Sequence, residues 1–184
     1  MFWSLLLCFS FFSAAGTGFK FHLYPMLLEK GLSASEVVII IAVLGPAQVA
    51  GRVLLSAIME SMSIVKLGVI TASALPVVFI ALAYLPVSMW LLIPLAVVFG
   101  AASGIMTIVK GMSVPELLTR DAYGAINAAM NIPVKLIQAF SPWLAAAIWY
   151  IGGGYHAVLM FLAFLGVVSL ISFILSAKVT TCQP

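Results

Sequence analysis

Lys20 and Lys135 each sit inside a stretch of apolar residues long enough to cross a bilayer. A cation is costly there, so a helix that carries one turns it toward a bundle interior, a water-filled cavity or a ligand. The five acidic residues, Glu29, Glu36, Glu60, Glu116 and Asp121, all fall at the ends of such stretches or between them. Neither lysine therefore has a carboxylate partner deep in this chain. The counter-charge comes from elsewhere, as an acid of another bundle or as an anion that completes the pair when it binds. The second option points to a small organic anion, carboxylate-bearing, with Lys20 and Lys135 as its charge partners.

Helical spacing groups further polar residues with these two. Ser10, Ser13, Thr17, Lys20 and Tyr24 recur at steps of three and four and share one face, as do Asn127, Asn131, Lys135 and Gln138. Tyr24, Asn127, Asn131 and Gln138 are the candidate hydrogen-bond groups of the site. Gln48, Arg52 and Ser56 mark a second helix and Ser103, Thr107 and Lys110 a fourth. Arg52 and Lys110 lie nearer helix ends, where a long cationic side chain snorkels to the interface. A serine or threonine alone in such a helix serves backbone or interhelical hydrogen bonding. His22 is two residues from Lys20 and off its face, which suits helix packing, but it is the histidine deep enough to titrate as a proton carrier. These residues call for no metal and no cofactor. Cys8 and Cys182 are expected to stay unpaired thiols.

The elements that must hold these groups follow from composition. The chain of 184 residues is 65% hydrophobic and 7% charged, with a mean hydropathy of +1.28. A soluble domain of this size lacks the interior to hide so much apolar surface, so the solvent is lipid. A hydrocarbon core of roughly 30 Å takes about 20 helical residues to cross. The chain divides into six such stretches, Phe2–Leu28, Ala34–Ile58, Ile64–Tyr84, Ser88–Gly111, Ala122–Trp149 and Gly153–Ala177, joined by short segments rich in turn formers and charges. The first is read as a helix and not a cleaved signal, because it lacks a positive n-region and its apolar character runs past Phe21. The third and sixth carry no acid or base in their interior and are expected to be peripheral and lipid-facing. Gly100 and Gly104 form a G-x-x-x-G suited to close helix packing, and Pro46 and Pro133 interrupt the second and fifth stretches.

Lysines and arginines set the orientation. With a cytoplasmic N-terminus, Lys66, Lys110, Arg120 and Lys178 lie at the inner face and Arg52 in the inner half of its helix, against Lys30 alone outside. This predicts a multi-pass protein of the cell (inner) membrane with both termini cytoplasmic, residues 179–184 forming a short cytoplasmic tail. The net charge of +3 is accounted for by this bias and needs no nucleic acid. A weak internal repeat is also visible. Lys20, Pro25, Leu27-Leu28 and Lys30 recur as Lys110, Pro115, Leu117-Leu118 and Arg120, displaced by 90 residues. Three helices per unit, about 1–86 and 87–178, make the second copy inverted in the membrane, a 3+3 inverted repeat.

On Phe21-His22-Leu23-Tyr24-Pro25-Met26-Leu27-Leu28-Glu29-Lys30-Gly31-Leu32-Ser33, on Gly45-Pro46-Ala47-Gln48-Val49-Ala50-Gly51-Arg52, and on Gln138 with Pro142, the chain resembles the C-terminal six-helix half of a major facilitator superfamily transporter. The resemblance spans nearly the whole chain. It implies an all-α membrane protein in which the first and fourth helices line a central cavity, the second and fifth face the other half, and the third and sixth lie outside. It implies secondary active transport of a small molecule by alternating access, with no enzymatic activity. The family often has a Gly, then Asp-Arg and further basic residues, in the loop after the second helix. Here that place reads Ser56-Ala57-Ile58-Met59-Glu60-Ser61-Met62-Ser63, so Arg52 and Glu60 are the gating or cytoplasmic-end candidates. A family member has twelve helices, so a truncated gene, a split transporter or a fragment is expected, with a second six-helix half or a second copy as partner. A non-transporting remnant or regulatory partner of a full-length carrier is the alternative. An intramembrane serine protease built on Ser103 and His156 is opposed by geometry, since roughly 18 Å of depth separates them at about 1.5 Å per residue. A water channel is weaker still, Asn131-Ile132-Pro133 being a single imperfect match to a motif needed twice.

Overall fold

A computed structural model describes residues 1–58, 62–118 and 123–181. They form six α-helices and, among the described residues, no strand: α1 Phe2–Glu29, α2 Ala34–Ile58, α3 Ile64–Tyr84, α4 Met89–Leu117, α5 Tyr123–Gly152 and α6 Tyr155–Thr181. All six are long and apolar enough to cross a membrane, as expected of a multi-pass membrane protein. The spans match the sequence reading except at some ends. α4 runs beyond the expected stop at Gly111 because Ser113, Val114 and Leu117 keep one face buried, and a glycine inside a helix costs only about 1 kcal/mol against alanine. α6 starts at Tyr155 and not Gly153, since Gly153 and Gly154 take φ of +70° and +147°, outside the helical region.

Local sequence explains the tightest connection. α1 ends with Gly31 at φ +92°, its N–H bonding to Leu28 O (2.9 Å) while Leu32 N–H reaches back to Leu27 O (3.2 Å). Glycine reaches that left-handed conformation without a Cβ clash. Two residues later Ser33 and Glu36 cap α2 reciprocally. The Ser33 N–H donates to Glu36 Oε2 at 2.9 Å, its hydroxyl to the same oxygen at 2.6 Å, and the Glu36 N–H returns to Ser33 Oγ at 3.4 Å. The Lys30 ammonium donates to Leu82 O at 2.8 Å, tying this turn to α3. Burial there pulls its pKa below the ordinary lysine value, with the Glu29 carboxylate opposing the shift.

Packing pairs helices that are distant in sequence. α2 lies along α4, α1 along both α5 and α6, and α3 along α6 and α4, whereas the consecutive pairs α1–α2 and α4–α5 touch little. Short connections make successive helices antiparallel, so α1 and α5 run parallel. Their register is marked by Thr17 with Gln138, His22 with Pro142 and Glu29 with Trp149. Small residues allow the close approaches. A Cβ on Gly51 would lie 2.8 Å from the Ala101 backbone, one on Gly100 2.7 Å from Ala47 Cβ, and one on Gly104 would overlap the Gln48 carbonyl. Gly166 of α6 likewise seats Pro76 of α3, 2.9 Å from the position of its absent Cβ. The G-x-x-x-G is thus a packing feature, with α2 pressed onto α4 along it.

The core lies where α1, α3 and α4 meet. Phe19, Phe79 and Phe99 are buried and stack with centroids 5.0, 4.7 and 6.1 Å apart. α3 and α6, expected to be peripheral and lipid-facing, each bury one side in the bundle and leave the other bare. Phe79 and Phe173 are fully buried, while Ile70, Val77, Phe164 and Ile171 are bare. The physical reason is that an all-apolar helix presents no polar stripe to orient it, so packing alone selects which face is covered. Serine and threonine hydroxyls mostly bond to backbone, as Thr71 to Leu67 O (2.8 Å) and Ser169 to Cys8 O (2.9 Å).

Candidate functional site

α1, α4 and α5 enclose a cleft of about 210 Å³ that gathers Lys20, Lys110 and Lys135. Ser13 and Thr17 of α1, Ser103 and Thr107 of α4, and Gln138 of α5 complete its polar lining, and no residue lining it is acidic. Each ammonium is met by a ring face or an amide oxygen instead of a carboxylate. Lys20 Nζ lies 5.8 Å from the centroid of Phe99 and has no hydrogen-bond acceptor among the described residues. Lys110 Nζ lies 5.9 Å from the Phe9 centroid and donates to Asn131 Oδ1 at 2.6 Å. Asn131 Nδ2 in turn donates to Asn127 O at 2.8 Å and Asn127 Oδ1 at 3.1 Å. Lys135 Nζ donates to Gln138 Oε1 at 3.1 Å, and Gln138 Nε2 donates to Thr17 Oγ1 at 2.8 Å. Lys110 and Lys135 are near enough to repel each other. Ring quadrupoles and amide dipoles soften three positive charges without cancelling them, which leaves an electropositive hollow suited to an anion.

The backbone around Gln138 is arranged to hold it. Pro142 has no N–H to give the Gln138 carbonyl, and the Ser141 hydroxyl takes that place at 2.9 Å. The amide side chain, one turn earlier on the same face, is left to bridge α5 to α1.

Of the residues expected at the site, Lys20, Lys135 and Gln138 line the cleft. Asn127 and Asn131 do not line it. Their amides are taken up by Lys110 and by each other, so they position a cation behind the lining. Tyr24 also falls outside, 40% exposed, while Ser10 at the other end of the same stripe is 1% exposed and turned into the core. A straight helix drifts about 20° per heptad against a 3.5-residue repeat, so a stripe spanning two heptads splays to both sides. His22 lies apart, in a hollow with Glu29, Trp149 and Tyr155. Its Nε2 donates to Pro142 O at 3.0 Å, and Nδ1 faces the Tyr155 hydroxyl at 3.4 Å. Arg52 is exposed and donates from Nε to Gly104 O at 3.4 Å; α2 contributes nothing to the cleft because Gly100 and Gly104 draw it to α4's other side. Glu60, Arg120 and Asp121 lie outside the described residues. Ser103 is in the cleft, whereas His156 is edge-on to the Tyr84 ring at 5.2 Å, so a serine–histidine pair is not assembled.

Lys110 is the residue that snorkelling arguments mislead. A signal for it exists in the chain: the 90-residue displacement extends backward from Lys20, pairing Phe9, Ser13 and Thr17 with Phe99, Ser103 and Thr107. The contacts obey the same exchange, with Lys20 over Phe99 and Lys110 over Phe9. The described residues hold no cluster of three His, Cys, Asp or Glu able to bind a metal ion. A scan against protein-family models finds no match to this chain, and a search of the curated proteins finds none.

Proposed function

We propose that this chain is one six-helix half of an alternating-access secondary transporter of the major facilitator kind, and that its cleft binds a small organic anion. The observation that carries the reading is the cleft itself: three lysines from three helices share one hollow with no carboxylate lining it. Cations held at membrane depth with no carboxylate beside them are expensive, so a ligand that supplies the counter-charge gains binding energy from a cost already present. Lys20 and Lys135 are its primary charge partners, Gln138 orients Lys135, and His22 braces α1 against α5 and α6.

The half-transporter reading rests on the helix pairing. Exchanging α1 with α4, α2 with α5 and α3 with α6 carries the main pairings into one another: α1–α5 becomes α4–α2, α1–α6 becomes α4–α3, and α3–α6 maps onto itself. Pro76 and Gly166, which touch at that self-paired crossing, are also displaced by 90 residues. Such exchange is what a 3+3 inverted repeat produces. The most apolar windows of α2 and α5 are 28% and 17% buried, against 44–50% for the other four helices, which fits a bundle whose second half covers them. The charge bias supports a cytoplasmic location for both termini.

Purified chain should bind a labelled organic carboxylate. Lys20→Ala and Lys135→Ala should each abolish that binding with little loss of folded protein, because each removes a cation placed at costly membrane depth. Lys66→Ala, on the exposed start of α3, should leave it intact. Undiminished binding in both cleft variants would refute the anion site, and loss of folded protein would assign the lysines to structure.

A further inference from the structure

The geometry points to a ligand with an anionic group at each end, an elongated dianion of the linear dicarboxylate class; this rests on the anion reading above. The two halves of the cleft are built alike. Phe9, Ser13, Thr17 and Lys20 on α1 face Phe99, Ser103, Thr107 and Lys110 on antiparallel α4, the same residue types at the same spacing. Because each lysine lies over the other helix's phenylalanine, Lys20 stands at one end of the cleft and Lys110 at the other. Their levels along α1 differ by the separation of residues 20 and 9, about 16 Å at roughly 1.5 Å rise per residue. Side chains lean toward the N-terminus of their own helix, which on antiparallel α1 and α4 is inward for both lysines.

Lys135 lies between these poles, one turn before the Gln138 that bonds Thr17. It has no counterpart in the repeat, since Gly45 stands at the matching position. A monoanion held by Lys20 and Lys135 leaves Lys110 and its amide support from Asn131 unanswered. A dianion engages both poles at once, with Lys135 at its middle and the Ser13 and Ser103 hydroxyls, which no described residue engages, free to bond along its length. Size agrees. A cleft of about 210 Å³ has room for a short carbon chain between its two poles.

Equilibrium binding to the full chain in lipid nanodiscs tests this, with succinate, glutarate and adipate set against butyrate as the matched monoanion. At least one dicarboxylate should bind about tenfold or more tightly than butyrate. Lys110→Met should shrink that ratio to within about twofold, while Lys110→Arg, which keeps the charge, should preserve most of it. The wild-type ratio decides even if Lys110→Met fails to fold. Equal binding of butyrate and every dicarboxylate, lost in Lys20→Met, overturns the two-ended ligand and leaves the anion site standing. Binding of neither class, or binding indifferent to Lys20→Met, overturns the anion site as well.

Discussion

Gln138 is the most consequential uncharged side chain of the cleft, because one amide serves two helices: its oxygen holds Lys135 and its nitrogen holds Thr17. An amide dipole orients the ammonium but leaves its charge available. Gln138→Glu would place a carboxylate of nearly the same shape within reach of Lys135, supplying inside the chain the counter-ion that a ligand otherwise brings. Anion binding should then fall by about tenfold or more, and the thermal midpoint should rise, since a cation at membrane depth gains a charged partner. Calorimetric binding and a melting curve on the same preparation check both. Unchanged affinity would mean that Lys135 is not a charge partner of the ligand. The residue types and their depth in apolar stretches were legible from the chain, and so were Lys20, Lys135 and Gln138. Asn127, Asn131 and Tyr24 fall outside the lining because spacing reports a shared face, and neither whether a neighbouring side chain has claimed the group nor how the stripe drifts around the helix.

Among the elements, the α2–α4 pair depends most on the absence of side chains. Gly51, Gly100 and Gly104 let the two backbones touch, and in lipid such contact replaces the hydrophobic drive that soluble helices enjoy. Gly104→Leu should force α2 away from α4, costing about 1–3 kcal/mol or more because the obstructing atoms are the Gln48 backbone, which cannot rotate aside. Gly124→Ala on α5, where nothing lies within 4 Å of the added atom, should be neutral or stabilising by up to about 1 kcal/mol. Thermal denaturation followed by circular dichroism separates the two; equal stability of Gly104→Leu and wild type would show that the contact is not tight in the bilayer. The helix ends were largely readable, because the capping Ser33 and Glu36 and the turning Gly31 act within a few residues. The end of α4 was not, since the apolar stretch stops at Gly111 while distant packing carries the helix on to Leu117.

The whole molecule is unevenly covered, with α2 and α5 the least buried of the six helices. Exposed Ile132, Leu136, Phe140 and Trp143 run along α5, beside the face that carries Lys135. Lipid accommodates the apolar groups but charges about 2.5–3.5 kcal/mol for each central lysine on insertion scales. The chain should therefore pair, with a separate six-helix partner or a second copy, and should not transport by itself. Light scattering in mild detergent with the micelle subtracted should give a dimer or larger, or an unstable monomer, and liposomes holding only this chain should show no saturable uptake. A stable monomer with saturable uptake would overturn the half-transporter proposal.

Hydropathy and helix length depend only on what lies within one segment, so the six membrane-capable helices and nearly all their limits followed from the chain alone. So did the cost of Lys20 and Lys135, which follows from depth and the absence of nearby acids. Which cations meet was decided by tertiary structure. Lys110 looks like a snorkelling end residue until the crossing of α1 and α4 sets it over Phe9, and α2 leaves the cleft because three glycines seat it on α4's other side. Contacts such as Thr17 with Gln138 join segments whose relative rotation and register no local pattern specifies, and only the packed bundle supplies them.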